Sequence, residues 1–317
     1  MPTSKVYFTD LRTQIGVSQL DKLEKLIRAA GIGDIDFDHK MTAIKIHFGE
    51  PGNLTYLRPN YAKRVADVIK SLGGLPFLTD CNTLYPGRRK NALEHIESAY
   101  ENGFTPYSTG CQVIIADGLK GSDDIEVPVR GGEYVKAAKI GRAIMDADIF
   151  ISLSHFKGHE MTGFGGTIKN IGMGCGSRRG KMEQHAAGKP TVSAKRCVGC
   201  RQCAKQCAQD AISYGEDRKA SIDHSKCVGC GRCIASCNFD AISAENDAAI
   251  PDLNRKMAEY AKAVVDGRPQ FHISLVIDVS PYCDCHGEND MAILPDVGMF
   301  ASFDPVALDQ ACADACL

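Results

Sequence analysis

Two stretches of this chain repeat each other without a gap, thirty residues apart: RCVGCRQCAKQCAQDAIS from Arg196 and KCVGCGRCIASCNFDAIS from Lys226. Each carries Cys-x2-Cys-x2-Cys-x3-Cys. Loops this rich in cysteine have few apolar side chains to pack, so they must be organised around something that thiolates bind. The chain holds 15 cysteines in 317 residues, and eight of them fall in the repeat. The odd total argues against complete disulfide pairing. The N-terminal run MPTSKVYFTDLRTQ lacks the apolar core of a signal peptide. No stretch has the uninterrupted apolar length of a membrane-spanning helix. The chain therefore reads as cytoplasmic, where thiols stay reduced and clustered cysteines indicate metal or redox chemistry. A net charge of -2 makes no case for a nucleic-acid surface.

The spacing x2, x2, x3 is that of bacterial-type ferredoxins with two clusters. Three cysteines in one tight loop each reach a corner iron of one cube, and the fourth points away to the other cube. Cys197, Cys200, Cys203 and Cys237 are expected to hold one 4Fe–4S cluster. Cys227, Cys230, Cys233 and Cys207 are expected to hold the second. Gly199 and Gly229 let the loops fold closely around sulfide. Zinc knuckles also use Cys-x2-Cys, but zinc gives no reason for the fixed repeat. Ala208 and Asn238 stand where such ferredoxins usually have a proline, which changes the local turn and removes no ligand.

Around this segment, apolar runs of strand length alternate with helical patterns. KVYFT, TAIKIHF, LPFLT, QVIIAD, DIFISLS, FHISLVIDVS and VGMFAS read as strands. SQLDKLEKLIRAAG, with Ser18 as cap and Gly31 as stop, reads as a helix. So do RPNYAKRVADVIKSLGG, RRKNALEHIESAYENG, YVKAAKIGRAIMDA, IPDLNRKMAEYAKAVVDG and a final helix capped by Asp304 with Pro305 at its first position. The fold class expected is α/β: a mostly parallel sheet flanked by helices, interrupted by a small ferredoxin-like α+β domain. The boundaries are 1–189 and 247–317 for the α/β domain and 190–246 for the insert.

In such sheets ligands bind outside the carboxyl ends of the strands. There the sequence places Gly49–Gly52, Asp80 and Cys81, the group His155, Lys157, His159 and Glu160, then Cys283, Cys285 and His286, and Asp304. PYCDCH, residues 281–286, cannot complete either cluster, because those eight positions are already matched. Three readings stand for its thiols. They are ligands of a further metal or cluster with Cys175 and with Cys81 or His286, a redox dithiol fed by the clusters, or reduced thiols without a ligand. Cys111, Cys312 and Cys316 read as packing cysteines. The three cations of GSRRGK stand beside Cys175, either as a dock for an anionic substrate or acidic partner, or as a solvated loop.

Taken together, IHFGEPGNLTYLRP, FLTDCNTLYPGRRKNALEHI, SHFKGHEMTGFGGTIKNIGMGCGSRRGK, CDCH and FASFDPVALDQAC resemble the iron–sulfur proteins that carry domain of unknown function 362 with an inserted two-cluster ferredoxin domain. The resemblance spans nearly the whole chain and implies cluster-based electron transfer with a protein donor or acceptor, with no activity assigned to the α/β part. HEMTGFGGTIKNIGMG is not a Walker A loop, since Lys169 lacks the required neighbours. It is similar to a segment of the nickel-pincer lactate racemases. By that similarity His159 is a proton-transfer histidine, Lys169 the cofactor-bearing lysine and His185 a nickel ligand. Two functions follow as expectations. One is an electron carrier that delivers low-potential electrons to the strand-edge site. The other is an oxidoreductase, a reductase of a small substrate, with His159, Lys169 and His155 handling protons and anionic groups.

Overall fold

The computed structural model describes residues 4–84, 87–185, 189–227, 233, 237, 239, 241–244 and 249–317. Its main sheet has seven strands: β1 (Tyr7–Thr9), β2 (Met41–Lys45), β3 (Leu75–Asp80), β4 (Gln112–Ile115), β7 (Ile149–His155), β14 (Gln270–Val276) and β15 (Gly298–Ser302). They lie side by side in the order β1-β15-β14-β7-β2-β3-β4. Strands β14, β7, β2, β3 and β4 pair in parallel, and β15 runs antiparallel to both of its neighbours. The α/β class with a mostly parallel sheet is therefore the observed one.

Period-two alternation distributes the strands' side chains between two cores. Ile44, Leu78, Ile151, Leu153 and Ile273 face one core with the helices Gln19–Ala29 and Pro59–Ser71. Ala43 and Phe150 face the other with Ile171, Tyr260 and Val264. Burial on both faces explains why these strands read as nearly continuous apolar runs. The Ser18 hydroxyl and the Asp21 carboxylate cap the first helix reciprocally, as their spacing predicts.

Two expectations are corrected. YVKAAKIGRAIMDA is not one helix. Its first half is strand β6 (Ala137–Gly141), paired with β5 (Asp124–Pro128), and only Arg142–Asp146 is helical. Ala138 and Ile140 are buried while Lys136 is exposed, an alternation that suits a hairpin better than a helix. The second correction follows from the reversed direction of β15. Asp304 caps the final helix as expected, accepting from Val306 and Ala307, but it lies at the opposite edge of the sheet from the other strand ends.

The chain builds β3 and β4 on one side of β2, then places β7 and β14 on the other. The order reverses between β2 and β7, and the crevice at such a reversal is where open α/β sheets bind ligands. The helix Thr167–Cys175 covers it after the short hairpin β8 (Lys157–His159) and β9 (Gly163–Gly165). It sits close because it is rich in glycine. A Cβ at Gly172 would strike the Met257 carbonyl of the long helix Ala249–Val265, and one at Gly174 would strike the Lys45 side chain.

The cysteine-rich segment obeys its own symmetry. Strand β10 (Pro190–Val192) pairs with β13 (Ile242–Ala244), and β11 (Ile212–Tyr214) pairs with β12 (Ala220–Ile222). Ser193 N–H donates to Ala241 and Asp223 N–H to Ala211, each at 2.7 Å. These partners are related by the thirty-residue repeat, so each half supplies one strand to either hairpin. Gly199 has positive φ and no room for a Cβ beside the Arg218 carbonyl. Gly229, Cys230 and Asn238 lie outside the described residues.

Replacing Gly172 by alanine should destabilise the protein by about 1–3 kcal/mol through overpacking. Gly33→Ala, at an exposed position with nothing within 4 Å of the new methyl, should be close to neutral. Denaturant unfolding of both variants measures the difference.

Candidate functional site

The Cys-Asp-Cys-His turn after β14 divides its side chains between two environments. The Asp284 carboxylate is fully buried beneath the turn. His155 Nδ1, at the end of β7, lies 2.9 Å from both of its oxygens, and Lys157 Nζ lies 3.3 Å away. Burial alone would raise the Asp284 pKa, but His155 and Lys157 outweigh it and hold the carboxyl well below its ordinary value. The two thiols face the other way. Lys169 Nζ donates to Cys283 Sγ at 3.2 Å. A hydrogen bond with Cys285, together with burial, pushes the Cys283 thiol up to about 12 against the pull of Lys169. Burial alone would lower the Lys169 pKa, but the neighbouring Cys283, Cys285 and Glu160 outweigh it and raise it above its ordinary value.

The backbone of the loop after β2 holds the turn in place. Glu50 N–H donates to the Asp284 carbonyl at 2.9 Å, and Asn53 Nδ2 donates to the His286 carbonyl at 3.0 Å. Gly158 N–H donates to the Ser280 carbonyl at 2.9 Å, which places β8 alongside the turn.

A cavity of 30 Å³ opens above this turn, lined among others by His159, Glu160, Lys169, His185, Cys285 and His286. His159 Nδ1 accepts from the backbone N–H groups of Met161 and Thr162 at 3.1 and 3.2 Å. The neutral ring therefore carries its proton on Nε2. Burial and the nearby Lys169 charge lower its pKa to about 4. His286 Nε2 lies 3.3 Å from the Glu160 carboxylate. Burial pushes the Glu160 pKa up, but the His286 hydrogen bond and the neighbouring His159 outweigh it and hold it well below its ordinary value. A second cavity, of 40 Å³, shares Lys169, Met173 and Cys285 with the first and extends to Lys45, Asp80, Arg89, Lys157 and Lys181.

Two more cavities lie in the cysteine-rich segment. Cys197, Cys200, Cys203 and Cys237 line one. Cys207, Cys227 and Cys233 line the other, together with Leu84 from the α/β part. Several sulfurs accept backbone N–H groups. Ala220 donates to Cys197 at 3.4 Å, Ala211 to Cys207 at 3.4 Å and Ala241 to Cys237 at 3.3 Å. Among the described residues, no three His, Cys, Asp or Glu side chains converge closely enough to hold a single metal ion.

A family model described as a domain of unknown function, DUF362, matches residues 42–314. The chain belongs to the DUF362 family. No curated protein matches it. Solved structures similar to it include the lactate racemase apoprotein from Thermoanaerobacterium thermosaccharolyticum, at 12% identity and a TM-score of 0.43, over 85% of this chain and 47% of that one. A structural-genomics protein from Thermotoga maritima is 12% identical with a TM-score of 0.48, over 98% of this chain and 60% of that one. This DUF362 chain thus spans less than two thirds of the length of either neighbour.

The sequence-expected residues of this DUF362 protein separate into two groups. His159, Lys169, Cys283, Cys285 and His286 come together at the turn. His155 and Cys175 do not reach the cavities. Both nitrogens of His155 are engaged, one by Asp284 and the other by the Ile277 carbonyl at 2.8 Å, so His155 positions the turn rather than meeting a ligand. Cys175 is buried in the second core beside Cys81, whose thiol donates to the Cys175 carbonyl at 3.4 Å. Burial raises its thiol to about 12. Cys111 and Cys312 are buried core residues, as expected.

Sequence reasoning missed Lys45, His47 and Arg89, and it offered Lys181 only as one of three cations in GSRRGK. Lys45 left one signal, a lysine inside the apolar run TAIKIHF. In GSRRGK, Arg179 pairs with Asp124 and Glu126, and Arg178 donates to the Lys90 carbonyl. Only Lys181 turns inward to the cavity.

His159 should titrate with a midpoint near pH 4 by NMR of its ring protons, and Lys169→Met should move that midpoint upward. The folded value lies below the unfolded value of about 6.5. The unfolded chain therefore takes up the proton first, and this residue's contribution lowers stability as pH falls from about 6.5 toward about 4.

Proposed function

We propose that this chain is an iron–sulfur electron-transfer protein. Its eight repeat cysteines would hold two 4Fe–4S clusters, which would supply low-potential electrons toward the cavity at the carboxyl ends of the strands. The observation that carries this reading is the crosswise sorting of the cysteines. Three thiols of the first repeat share a cavity with Cys237 of the second, and Cys227 and Cys233 share one with Cys207. A zinc site made from one repeat alone would not mix the halves. A cube spreads its four sulfur ligands around its corners, so a set shaped for it need not converge on one point.

When bound, each cluster supplies a one-electron carrier. The chain's contribution is the environment of the sulfurs. Backbone N–H groups aimed at Cys197, Cys207 and Cys237 stabilise the extra negative charge of a reduced centre, which raises its potential. The stretch Cys81–Leu84 supports transfer into the α/β part. Cys81 and Thr83 line the 40 Å³ cavity and Leu84 lines the cavity of Cys207. At the other end Cys200 is exposed, with Val198 and Phe239 exposed nearby, a face suited to a protein donor. In the reductase version of this reading, the Cys283–Cys285 pair is the acceptor. Its disulfide takes two electrons and two protons and becomes two thiols.

A second reading has one observation in its favour. His159, Lys169 and His185 line a single cavity, the set expected for proton-transfer chemistry of the nickel-pincer type. That chemistry moves no net electrons and leaves the cysteine octet without a role.

Anaerobically purified protein should contain about eight irons, bleach in the visible on reduction, and lose about half its iron in Cys237→Ala. Cys283→Ser should keep all of it. Stoichiometric nickel attached through Lys169, with no iron, would favour the second reading.

A further inference from the structure

The charged side chains lining the 40 Å³ cavity are mainly cations. Five cationic side chains line it: Lys45, Arg89, Lys157, Lys169 and Lys181. Three carboxylates pair with them directly, while Glu160 acts on Lys169 and Asp117 on Lys181 from beyond ion-pair distance. Asp80 lies 3.0 Å from Lys45, Glu50 lies 2.7 Å from Arg89 and Asp284 lies 3.3 Å from Lys157. Lys169 and Lys181 have no carboxylate within ion-pair distance among the described residues. Lys169 donates to the Cys283 sulfur. Lys181, only 6% exposed, donates to the carbonyls of Gly176 at 2.5 Å and Gly174 at 3.4 Å.

Buried charge without a direct partner is costly, and three further features shape this cationic wall. Gly174 makes room for the Lys45 ammonium, which a Cβ would displace. Asn170 fixes that ammonium from the helix side, accepting from it at 2.7 Å, and its own amide ties the helix to Leu153 and Ser154 of β7. His47 contributes no charge. Burial and the surrounding cations, Arg89 foremost, hold its pKa far below the ordinary value. The walls thus present two ammonium groups, Lys169 and Lys181, that no carboxylate pairs with directly among the described residues, at the point where the strand order reverses.

We infer that this cavity binds a compact, doubly charged oxyanion, and that Lys169 and Lys181 are its counter-charges. The size limits the ligand. A water needs roughly 10–15 Å³ of such space, so 40 Å³ holds about three waters or one small oxyanion. Phosphate and the shortest dicarboxylates share this chemistry, whereas nucleotides and longer diacids do not fit. The shared wall with the thiol-bearing cavity places the ligand beside Cys285. The inference therefore deepens the reading of this edge as the electron-accepting site, and rests on it only for the ligand's role as substrate.

The test is calorimetric titration of the full-length protein in low-chloride buffer with inorganic phosphate, oxalate and acetate, with iron content measured on the same preparation. Saturable one-to-one binding is expected for phosphate or oxalate, whichever class the site serves, and at least about tenfold weaker binding for acetate. Lys181→Met and Lys169→Met should each weaken the dianion by about tenfold or more. Lys181→Met should also raise the melting temperature of the anion-free protein, since it removes a buried charge that no carboxylate pairs with directly. Absence of binding by all three anions overturns the inference, as does equal affinity in both variants. A Lys181→Met protein too unstable to study would contradict the expected rise, and Lys169→Met still reports on binding. Iron present without anion binding sinks this inference alone, and anion binding without iron supports it while sinking the electron-transfer reading.

Discussion

The site is assembled around one buried carboxylate. Asp284 is fully enclosed and takes His155 from the end of β7 and Lys157 from the next strand. An isolated carboxylate would not stay ionised there. Removing one partner of such a pair typically costs about 3–5 kcal/mol, because the other is left as a buried, unmatched charge. The pairing fixes the turn on which Cys283, Cys285 and His286 stand. The positions of both thiols, of the Lys169 ammonium beside them and of the cavity floor all follow from that electrostatic lock.

The helix Thr167–Cys175 supplies the complementary half. Its glycines look like a ligand-binding loop when read as sequence, yet several serve packing. Gly172 lets the helix meet the long helix Ala249–Val265, and Gly174 lets it settle over Lys45. Its N-terminal amides of Thr167 and Ile168 are satisfied by the Asp309 carboxylate from the final helix. The helix is thereby held at both ends while Lys169 and Asn170 reach into the crevice. A rigid cover of this kind keeps the amine and the thiols in fixed geometry.

Local patterns of the sequence anticipated more of the architecture than of the site. Alternating strands and helices, the caps Ser18 and Asp304 and the thirty-residue repeat were all legible, because each depends on residues close in sequence. The hairpin β5–β6 was not, since Ala-rich YVKAAKIGRAIMDA suits a helix until tertiary burial selects alternate residues. The placement of Asp304 was misjudged because a strand's direction is decided by its neighbours. Lys45, His47, Arg89 and Lys181 were invisible as a group. They stand far apart in sequence, and only the crossing from β2 to β7 brings them into one cavity.

By itself the sequence determined the thirty-residue repeat with its eight cysteines and the identity of the groups after each strand, because these depend on residues close in sequence. Tertiary structure alone decided which of them meet. It left Cys175 in an apolar core, turned His155 into a support for Asp284, and gathered five cations around a space too small for most ligands. The physical reason is range. Hydrogen-bonded turns and caps act over a few residues, whereas charge balance in a buried crevice depends on every strand end that reaches it.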